Sequence, residues 1–289
     1  MGRFYFKIFL VIIVAVSVAA TGCRNRNRKI KSPAAYDLGS PEKFNMPGSL
    51  LEISGITFDS GANDIIYAIQ DEQGKVFKLV WGNKKQSHTK FAGDGDFEDL
   101  AIAGNKMYVL KSNGVLVYFP MEQLQHEDAD SVAFSTQLLP SGEYEGMSAD
   151  GSGKLYVLCK KCDSDKNSGK VTVASVGITD SGYEVENVYI SEADITVNNE
   201  KLKSRFQPSA LAKNPVTGEW FIISAINKLL VITDANWQVK EAWPLNGNTF
   251  NQPEGIAFDA VGNLYISNEG DDLSAGNILK FVRNLKQPQ

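Results

Sequence analysis

The chain has 289 residues, and 43% of them are hydrophobic, which is enough to bury one large core. Seven of the 29 Lys/Arg lie in residues 1–32, which hold no Asp/Glu, leaving 22 Lys/Arg against all 34 Asp/Glu in the remainder. An acidic globular part argues against nucleic acid as a partner and is compatible with cation binding.

Residues 1–23 have the pattern of a lipoprotein signal peptide. Two basic residues precede an apolar run, residues 8–20, that is too short for a comfortable membrane span. The run leads into a small-small-Cys ending that resembles the bacterial lipobox, although Ala20 stands where Leu is usual. Cys23 is then the lipidated first residue of the mature protein, and palmitate and other acyl chains on it hold the protein to a membrane. The alternative is an ordinary signal peptide with an incidental Cys.

Residues 24–35 are predicted to form a flexible, basic linker, since they show no apolar periodicity. Directly after a lipid anchor, such a basic run favours contact with anionic headgroups over a nucleic-acid arm. Residue 24 is Arg rather than Asp, and by resemblance to lipoprotein sorting patterns this favours the outer membrane, facing the periplasm. The predicted partners are therefore the membrane, through Cys23, and an unidentified ligand or envelope protein.

A repeated pattern fills residues 36–289, which are predicted to form a single domain. Each copy has a polar opener, a small or acidic residue, a short apolar strand, a turn with Gly or Asn, and a second strand with an aromatic residue near its start. The openers are Ser54, Glu98, Glu145, Ser209 and Glu254, and the aromatic residues are Tyr67, Tyr108, Tyr156, Trp220 and Tyr265. The openers are 44, 47, 64 and 45 residues apart, close to the period of four-stranded propeller blades.

Two further strands fit within each period, so the prediction is an all-β propeller of four-stranded antiparallel blades. Five repeats are visible. The long interval contains an extra piece, residues 191–206, which is either an insertion or a degenerate sixth blade, and its short length favours the insertion. The last repeat lacks a strand, and residues 35–46 are predicted to supply it and close the ring.

This series resembles the SdiA-regulated (YjiK-like) family of bacterial propeller proteins. The resemblance covers nearly all of the chain after the linker, and five openers in order are more specific than any one alone. The segments that carry it are 54–58, 97–100, 144–147, 209–211, 253–256 and 266–269. The resemblance implies a propeller fold and an envelope location, and it implies no established reaction.

Equivalent positions of different blades converge on the central channel, so the openers are expected to form a ring there. A second set is expected at the exits of the second strands. It comprises Asp71, Glu72, Lys111, Lys160, Lys161, Ser224, Asn268 and Glu269. Three carboxylates meeting in a partly desolvated channel repel one another, so a raised pKa, a Lys or a metal ion must compensate.

Calcium prefers six to eight oxygen ligands, and Glu98, Glu145, Glu254 and Asn268 are the candidate metal ligands. Two other interpretations stay open. In the first, the carboxylates are structural and accept backbone hydrogen bonds or pair with Lys111 or Lys161. In the second, one of the carboxylates is catalytic. By contrast, acidic residues just before turns, such as Asp59, Asp150, Asp259 and those in residues 94–96, are predicted turn formers.

Cys159 and Cys162 are three residues apart in a predicted oxidising compartment, so a local disulfide is the plain interpretation. An extended strand would hold them too far apart, so a turn must begin there. Free thiols, a redox dithiol and a metal site are the alternatives.

Two functions follow. The first is an envelope-anchored, non-enzymatic module that binds a ligand or a protein and holds a divalent cation, with calcium as the candidate cofactor. The alternative is a calcium-dependent hydrolase (phosphoesterase, phytase-like or lactonase-like) that uses channel carboxylates. His88 and His126 are the only histidines and lie between repeats, so a Ser-His-Asp triad is disfavoured.

Overall fold

The computed structural model describes residues 30–59, 62–197 and 200–284. The predicted signal peptide, Cys23 and the linker up to residue 29 lie outside these residues. The end of the linker is not detached from the domain, because Ile30 and Ala35 pack against the core. The helices among the described residues are the short 3-10 helices Gly48–Leu50, Met121–Gln125, Asp163–Asp165 and Glu192–Asp194. No described helix has the length and apolar character that a membrane span requires.

Antiparallel sheets form the described structure, and five of them are four-stranded propeller blades. The first strand is β1 (Glu42–Asn45). Blade 1 contains β2 (Ile53–Asp59), β3 (Ala62–Gln70), β4 (Gln73–Val80) and β5 (Asn83–Asp94). Blade 2 contains β6 (Phe97–Ala103), β7 (Lys106–Lys111), β8 (Leu116–Pro120) and β9 (Ala133–Ser135). Blade 3 contains β10 (Gly142–Ala149), β11 (Lys154–Cys162), β12 (Lys170–Thr179) and β13 (Gly182–Ser191). A short hairpin of β14 (Thr196–Val197) and β15 (Glu200–Lys201) precedes blade 4, which contains β16 (Ala210–Lys213), β17 (Trp220–Ser224), β18 (Leu229–Thr233) and β19 (Val239–Pro244). Blade 5 contains β20 (Pro253–Phe258), β21 (Leu264–Asn268) and β22 (Asn277–Phe281). The predicted five-bladed propeller is confirmed.

The ring closes through the N-terminal strand. β1 pairs antiparallel with β22, with Glu42 opposite Lys280 and Asn45 opposite Asn277. The fourth strand of blade 5 therefore comes from the residues that precede blade 1, which joins the two ends of the chain in one sheet. This confirms the closure that the sequence predicts.

The extra residues between blades 3 and 4 form an insertion and not a sixth blade. They contain one 3-10 helix and the two-residue strands β14 and β15. Ile195 and Phe206 are fully buried against blades 3 and 4, so the insertion contributes to the core between them.

Apolar central strands and aromatic side chains hold neighbouring blades together. Every residue of β17 and β18 is buried, as expected for strands that are covered on both faces. The rings of Tyr156 and Trp220, on blades 3 and 4, are 4.6 Å apart. Those of Phe58 and Tyr265, on blades 1 and 5, are 4.7 Å apart. The aromatic residues near the starts of the second strands, such as Tyr156, Trp220 and Tyr265, thus pack between blades.

Asp99 joins blades 2 and 3 through its buried carboxylate. Its Oδ1 accepts a hydrogen bond from Leu100 N at 2.8 Å, and its Oδ2 accepts one from Met147 N on the next blade, also at 2.8 Å. The side chain is 2% exposed, so water cannot replace it as the acceptor.

We expect Asp99→Ala to destabilise the protein, because it leaves two buried N–H groups without an acceptor. Each such group costs about 1–3 kcal/mol. Denaturant unfolding measures the loss, with Asp180→Ala, at an exposed turn, as the matched control. Equal stability of the two variants would show that Asp99 does not tie the blades together.

Candidate functional site

The openers lie at irregular positions of the innermost strands. The pairing of β6 with β7 shifts register between Phe97 and Asp99, which leaves Glu98 out of the ladder. Equivalent shifts leave Glu145 and Glu254 out of theirs, and Ser54 lies within a shift of the same kind. A β-bulge re-aims the side chain of the unpaired residue. The repeated bulge therefore turns the opener side chains of blades 1, 2, 3 and 5 toward the channel at the same end of each blade, whereas the pairing in blade 4 has no such shift and Ser209 does not line the cavity that the other openers share.

These side chains meet in one small cavity of about 140 Å³, here called the acidic pocket. Its lining residues are Ser54, Asp71, Asp96, Glu98, Glu145, Glu254 and Glu269. Six of the seven carry a carboxyl group. The predicted carboxylates Glu98, Glu145 and Glu254 are thus together, and Asp71 and Glu269 join them from the exits of the second strands.

Lys160 partly neutralises the acidic pocket through a direct ion pair. Lys160 Nζ lies 2.5 Å from Glu145 Oε1 and 3.5 Å from Glu143 Oε1. Lys161 lies outside the pocket and pairs with Glu143 at 2.8 Å. The pocket therefore contains more carboxyl groups than one ammonium group can balance.

The excess of carboxyl groups is visible in their pKa values. Burial, followed by the charges of Glu145 and Asp96, raises the pKa of Glu98 to about 9. Burial and then the charge of Glu145 raise the pKa of Glu254 to about 7, although the Ser209 hydroxyl donates a hydrogen bond to it. Burial also raises the pKa of Glu145, despite its ion pair with Lys160. The cluster resists full ionisation unless a cation is added.

Asp71 adds an unpaired acceptor to this cluster. Its Oδ1 is buried, and no described donor reaches that atom with hydrogen-bonding geometry. Burial and then the charge of Glu52 raise the pKa of Asp71. Burial and then the charge of Asp71 raise the pKa of Glu269. An orphaned carboxylate oxygen beside a second carboxyl group is a suitable ligand for a hard cation.

Comparison with known proteins identifies the family. The sequence matches the SdiA-regulated family over residues 41–272. The chain belongs to the SdiA-regulated family. No curated protein matches this SdiA-regulated chain in sequence.

Solved structures share the fold of this SdiA-regulated protein at low identity. A luciferin-regenerating enzyme is 11% identical with a TM-score of 0.55, over 86% of this chain and 96% of that one. Myxococcus xanthus glutaminyl cyclase is 13% identical with a TM-score of 0.54, over 84% and 95%. Regucalcin from Agrobacterium tumefaciens, a calcium-binding protein, is 10% identical with a TM-score of 0.51, over 86% and 94%. At these identities the likeness is one of fold.

Several predicted residues of the SdiA-regulated protein lie away from the acidic pocket. Asn268 is fully buried, donates from Nδ2 to Asn277 Oδ1 at 3.2 Å and does not line the pocket. Lys111 Nζ lies over the ring of Phe97, 5.4 Å from its centroid. Ser224 is buried within blade 4, and Glu72 is exposed.

Asp96 is a pocket residue that the sequence does not single out. It belongs to a stretch predicted only as a turn, yet it lines the pocket and accepts a hydrogen bond from the Ser112 hydroxyl. The available signal was its position two residues before Glu98, because alternate residues of an extended chain point the same way.

The two internal cysteines form a disulfide, with their Cα atoms 6.0 Å apart. Asp165 lies close enough to both sulfur atoms for the three groups to resemble a metal site. Sulfur atoms in a disulfide are not thiolates, and the Asp165 carboxylate already accepts a hydrogen bond from Thr172 N at 2.9 Å. The cluster is therefore structural in this state.

The opposite end of the channel has a different character. A cavity of about 680 Å³ is lined there by the far ends of the inner strands and by the turns after them. Asp150 at this end accepts a hydrogen bond from Ser152 N, and Asp259 accepts one from Asn263 N, both at 2.8 Å. Their carboxylates serve as turn formers, as the sequence predicts. The uncompensated charge is at the acidic pocket.

We expect the SdiA-regulated protein to lose stability as the pH rises when no divalent cation is present. The pKa values of Glu98 and Glu254 rise from the ordinary glutamate value of 4.5 to about 9 and about 7. The folded chain therefore holds more protons than the unfolded chain between about pH 4.5 and 9, and stability falls across that window. Melting curves in a chelator measure this fall, which should be smaller in the double variant Glu98→Gln/Glu254→Gln. Equal slopes for the two proteins would contradict the raised pKa values.

Proposed function

We propose that this protein is a non-enzymatic binding module of the bacterial envelope that holds a divalent cation, calcium first, in its acidic pocket. The observation that carries the proposal is the convergence of six carboxyl groups in about 140 Å³, one of which is paired with the ammonium group of Lys160. A carboxylate cluster of this kind is destabilising by itself and becomes favourable when a cation neutralises it.

The chemistry of the donor set fits calcium. Calcium takes carboxylate, hydroxyl and carbonyl oxygens, and it tolerates irregular arrangements of them. Glu98, Glu254 and Asp71 would be the principal ligands, because each has a raised pKa and none has a lysine bonded to it. Glu145, Glu269 and Ser54 line the same pocket and would complete the set. The calcium-binding regucalcin is a fold neighbour, but the pocket residues support the proposal independently of that likeness.

Calcium titration of the full chain in detergent tests the proposal. We expect saturable heat by calorimetry and a higher melting temperature in calcium, because a ligand that binds only the folded state stabilises it. Potassium at the same ionic strength is the control for screening. No heat and no change in melting temperature at millimolar calcium would refute the proposal.

The envelope location is a further part of the proposal. A lipobox-like ending before Cys23 and a basic stretch after it support an anchor in the outer membrane, facing the periplasm. Mass spectrometry of the mature N-terminus would detect acyl chains on Cys23, and Cys23→Ala should move the protein from the membrane fraction to the soluble fraction. An unmodified N-terminus, or a membrane-bound variant, would count against this location.

A calcium-dependent hydrolase is the second candidate, favoured by one observation. Glu254 has a pKa of about 7, which suits a general base at neutral pH. A screen of phosphoesters and lactones in calcium tests this candidate, and any turnover should be lost in Glu254→Gln. Calcium binding without turnover would leave the binding module as the function.

A further inference from the structure

Two lysines stand between the disulfide-bonded cysteines, in the sequence Cys159-Lys160-Lys161-Cys162. Three residues of extended strand span roughly 10 Å. The disulfide holds the two Cα atoms at 6.0 Å, so the end of β11 is contracted. Lys161 pairs with Glu143 and Cys159 pairs with Tyr144, which leaves Lys160 out of the ladder as a bulge residue. The side chains of Lys160 and Lys161 therefore leave the contracted loop in different directions.

Glu145, on the neighbouring strand β10, is also a bulge residue. Tyr144 pairs with Cys159 and Gly146 with Leu158, so Glu145 has no partner in the ladder. The two unpaired residues meet, with Lys160 Nζ 2.5 Å from Glu145 Oε1. Burial alone would lower the pKa of Lys160, but the hydrogen bond and charge of Glu145 raise it. The Lys160 side chain is 18% exposed, against 52% for Lys161.

The fold accommodates the disulfide closely. Cys159 and Cys162 are both buried. Gly142 faces the bridge, and a Cβ at that position would lie 2.7 Å from Cys162 Sγ. Beyond the bridge, Asp165 is buried and hydrogen-bonded to Thr172 N. Both ends of the short loop that presents Lys160 are therefore fixed.

We infer that Lys160 determines the cation specificity of the acidic pocket, as a tethered ammonium group that the Cys159–Cys162 disulfide positions on Glu145. This inference rests on the proposed function. A monovalent ion that competes for Glu145 offers no more charge than the ammonium group already there. A divalent ion offers twice the charge, and the Coulomb energy of each contact doubles with it. The tether therefore selects divalent over monovalent cations.

Titration of four proteins tests the inference: the native chain, Lys160→Met, Cys159→Ser/Cys162→Ser and the control Lys166→Met. Lys166 is an exposed lysine that pairs with Asp163, so its replacement removes the same charge from the same region. We expect Lys160→Met to bind calcium about tenfold more tightly than the native chain and to bind potassium measurably. Lys166→Met should bind as the native chain does. The double serine variant should shift toward Lys160→Met, because its lysine is no longer held.

The outcomes separate the two ideas. Unchanged calcium affinity and no potassium binding in Lys160→Met would overturn the inference and leave the proposed function in place. If the Cys159→Ser/Cys162→Ser variant binds cations as the native chain does, the disulfide is not needed to position Lys160 on Glu145. The absence of cation binding in all four proteins would refute the proposed function.

Acylation of lysines in the native chain, followed by mass spectrometry, gives a readout that does not depend on ion binding. Lys160 should react several-fold more slowly than Lys161, given its lower exposure and its ion pair. Its rate should increase in calcium and in the Cys159→Ser/Cys162→Ser variant. If Lys160 reacts as fast as Lys161 in the native chain, the inference that Lys160 is held on Glu145 is refuted, whatever the titrations show.

Discussion

Replacing Glu254 by Gln is expected to weaken calcium binding by roughly 100-fold. Glu254 is a buried pocket carboxyl with a pKa of about 7, so at pH 8 it is mainly ionised and attracts a cation. Losing one close charge contact at a buried site costs about 2–5 kcal/mol, and 2.7 kcal/mol is about 100-fold. Calorimetry at pH 8 measures the change directly.

The same substitution should stabilise the cation-free protein. At pH 8 the ionised Glu254 carries a desolvation cost and feels the repulsion of Glu145, and an uncharged amide is free of the repulsion. A residue needed only for folding would lose stability on replacement. The combination of weaker calcium binding and a higher melting temperature in chelator therefore distinguishes a ligand from a structural carboxylate.

Glu98→Gln and Glu122→Gln complete this experiment. Glu98 also lines the acidic pocket, but its pKa of about 9 leaves it mainly protonated at pH 8, so its variant should weaken calcium binding by less than Glu254→Gln does. Glu122 is an exposed carboxylate on an outer 3-10 helix, and its variant should bind as the native chain does. If both pocket variants bind calcium with the native affinity, the acidic pocket is not the calcium site.

Repeat spacing explains why so much of the fold could be predicted. The period and the repeated opener identify blades, because each blade places equivalent residues at equivalent positions around one axis. The same logic brings Glu98, Glu145 and Glu254 into one pocket. The strand missing from the last repeat also predicts the closure that β1 provides.

The positions of individual side chains could not be predicted, because they depend on strand register. A bulge has no distinctive sequence, yet one extra residue decides whether a side chain faces the channel or the sheet. Of two adjacent lysines, Lys160 pairs with the pocket residue Glu145, whereas Lys161 pairs with Glu143 outside the pocket. Asn268 shares the end of its strand with Glu269, yet only Glu269 lines the pocket.

Gly255→Ala is expected to destabilise the protein by several kcal/mol, because Gly255 lies where blade 5 meets blade 1. A Cβ at this position would lie 2.3 Å from Ser267 Oγ and 2.4 Å from Ser54 O. These two atoms are hydrogen-bonded to each other at 2.6 Å across the closure of the ring. Ser54 O belongs to the backbone, so it cannot move away without separating the blades.

The same restriction recurs around the ring, which explains why small residues so often follow the openers. A Cβ on Gly55 would lie 2.6 Å from Asp99 Cα, and one on Gly146 would lie 2.9 Å from Ala210 Cα. Each glycine thus allows its inner strand to approach the inner strand of the next blade. Four of the five openers converge in a pocket as small as about 140 Å³ because these strands lie so close together.

Denaturant unfolding of Gly255→Ala against Gly247→Ala measures this effect. Gly247 is exposed, and a Cβ there would meet no atom within 4 Å, so its variant should stay within about 0.5 kcal/mol of the native protein. Overpacking at a site that cannot relax costs about 1–3 kcal/mol or more, and Gly255→Ala also breaks the hydrogen bond of Ser267. Because Ser54 lines the acidic pocket, any folded Gly255→Ala protein should also bind calcium more weakly. Native stability in Gly255→Ala would mean that the blades can separate at little cost, and the tight ring could then no longer account for the convergence of the carboxylates.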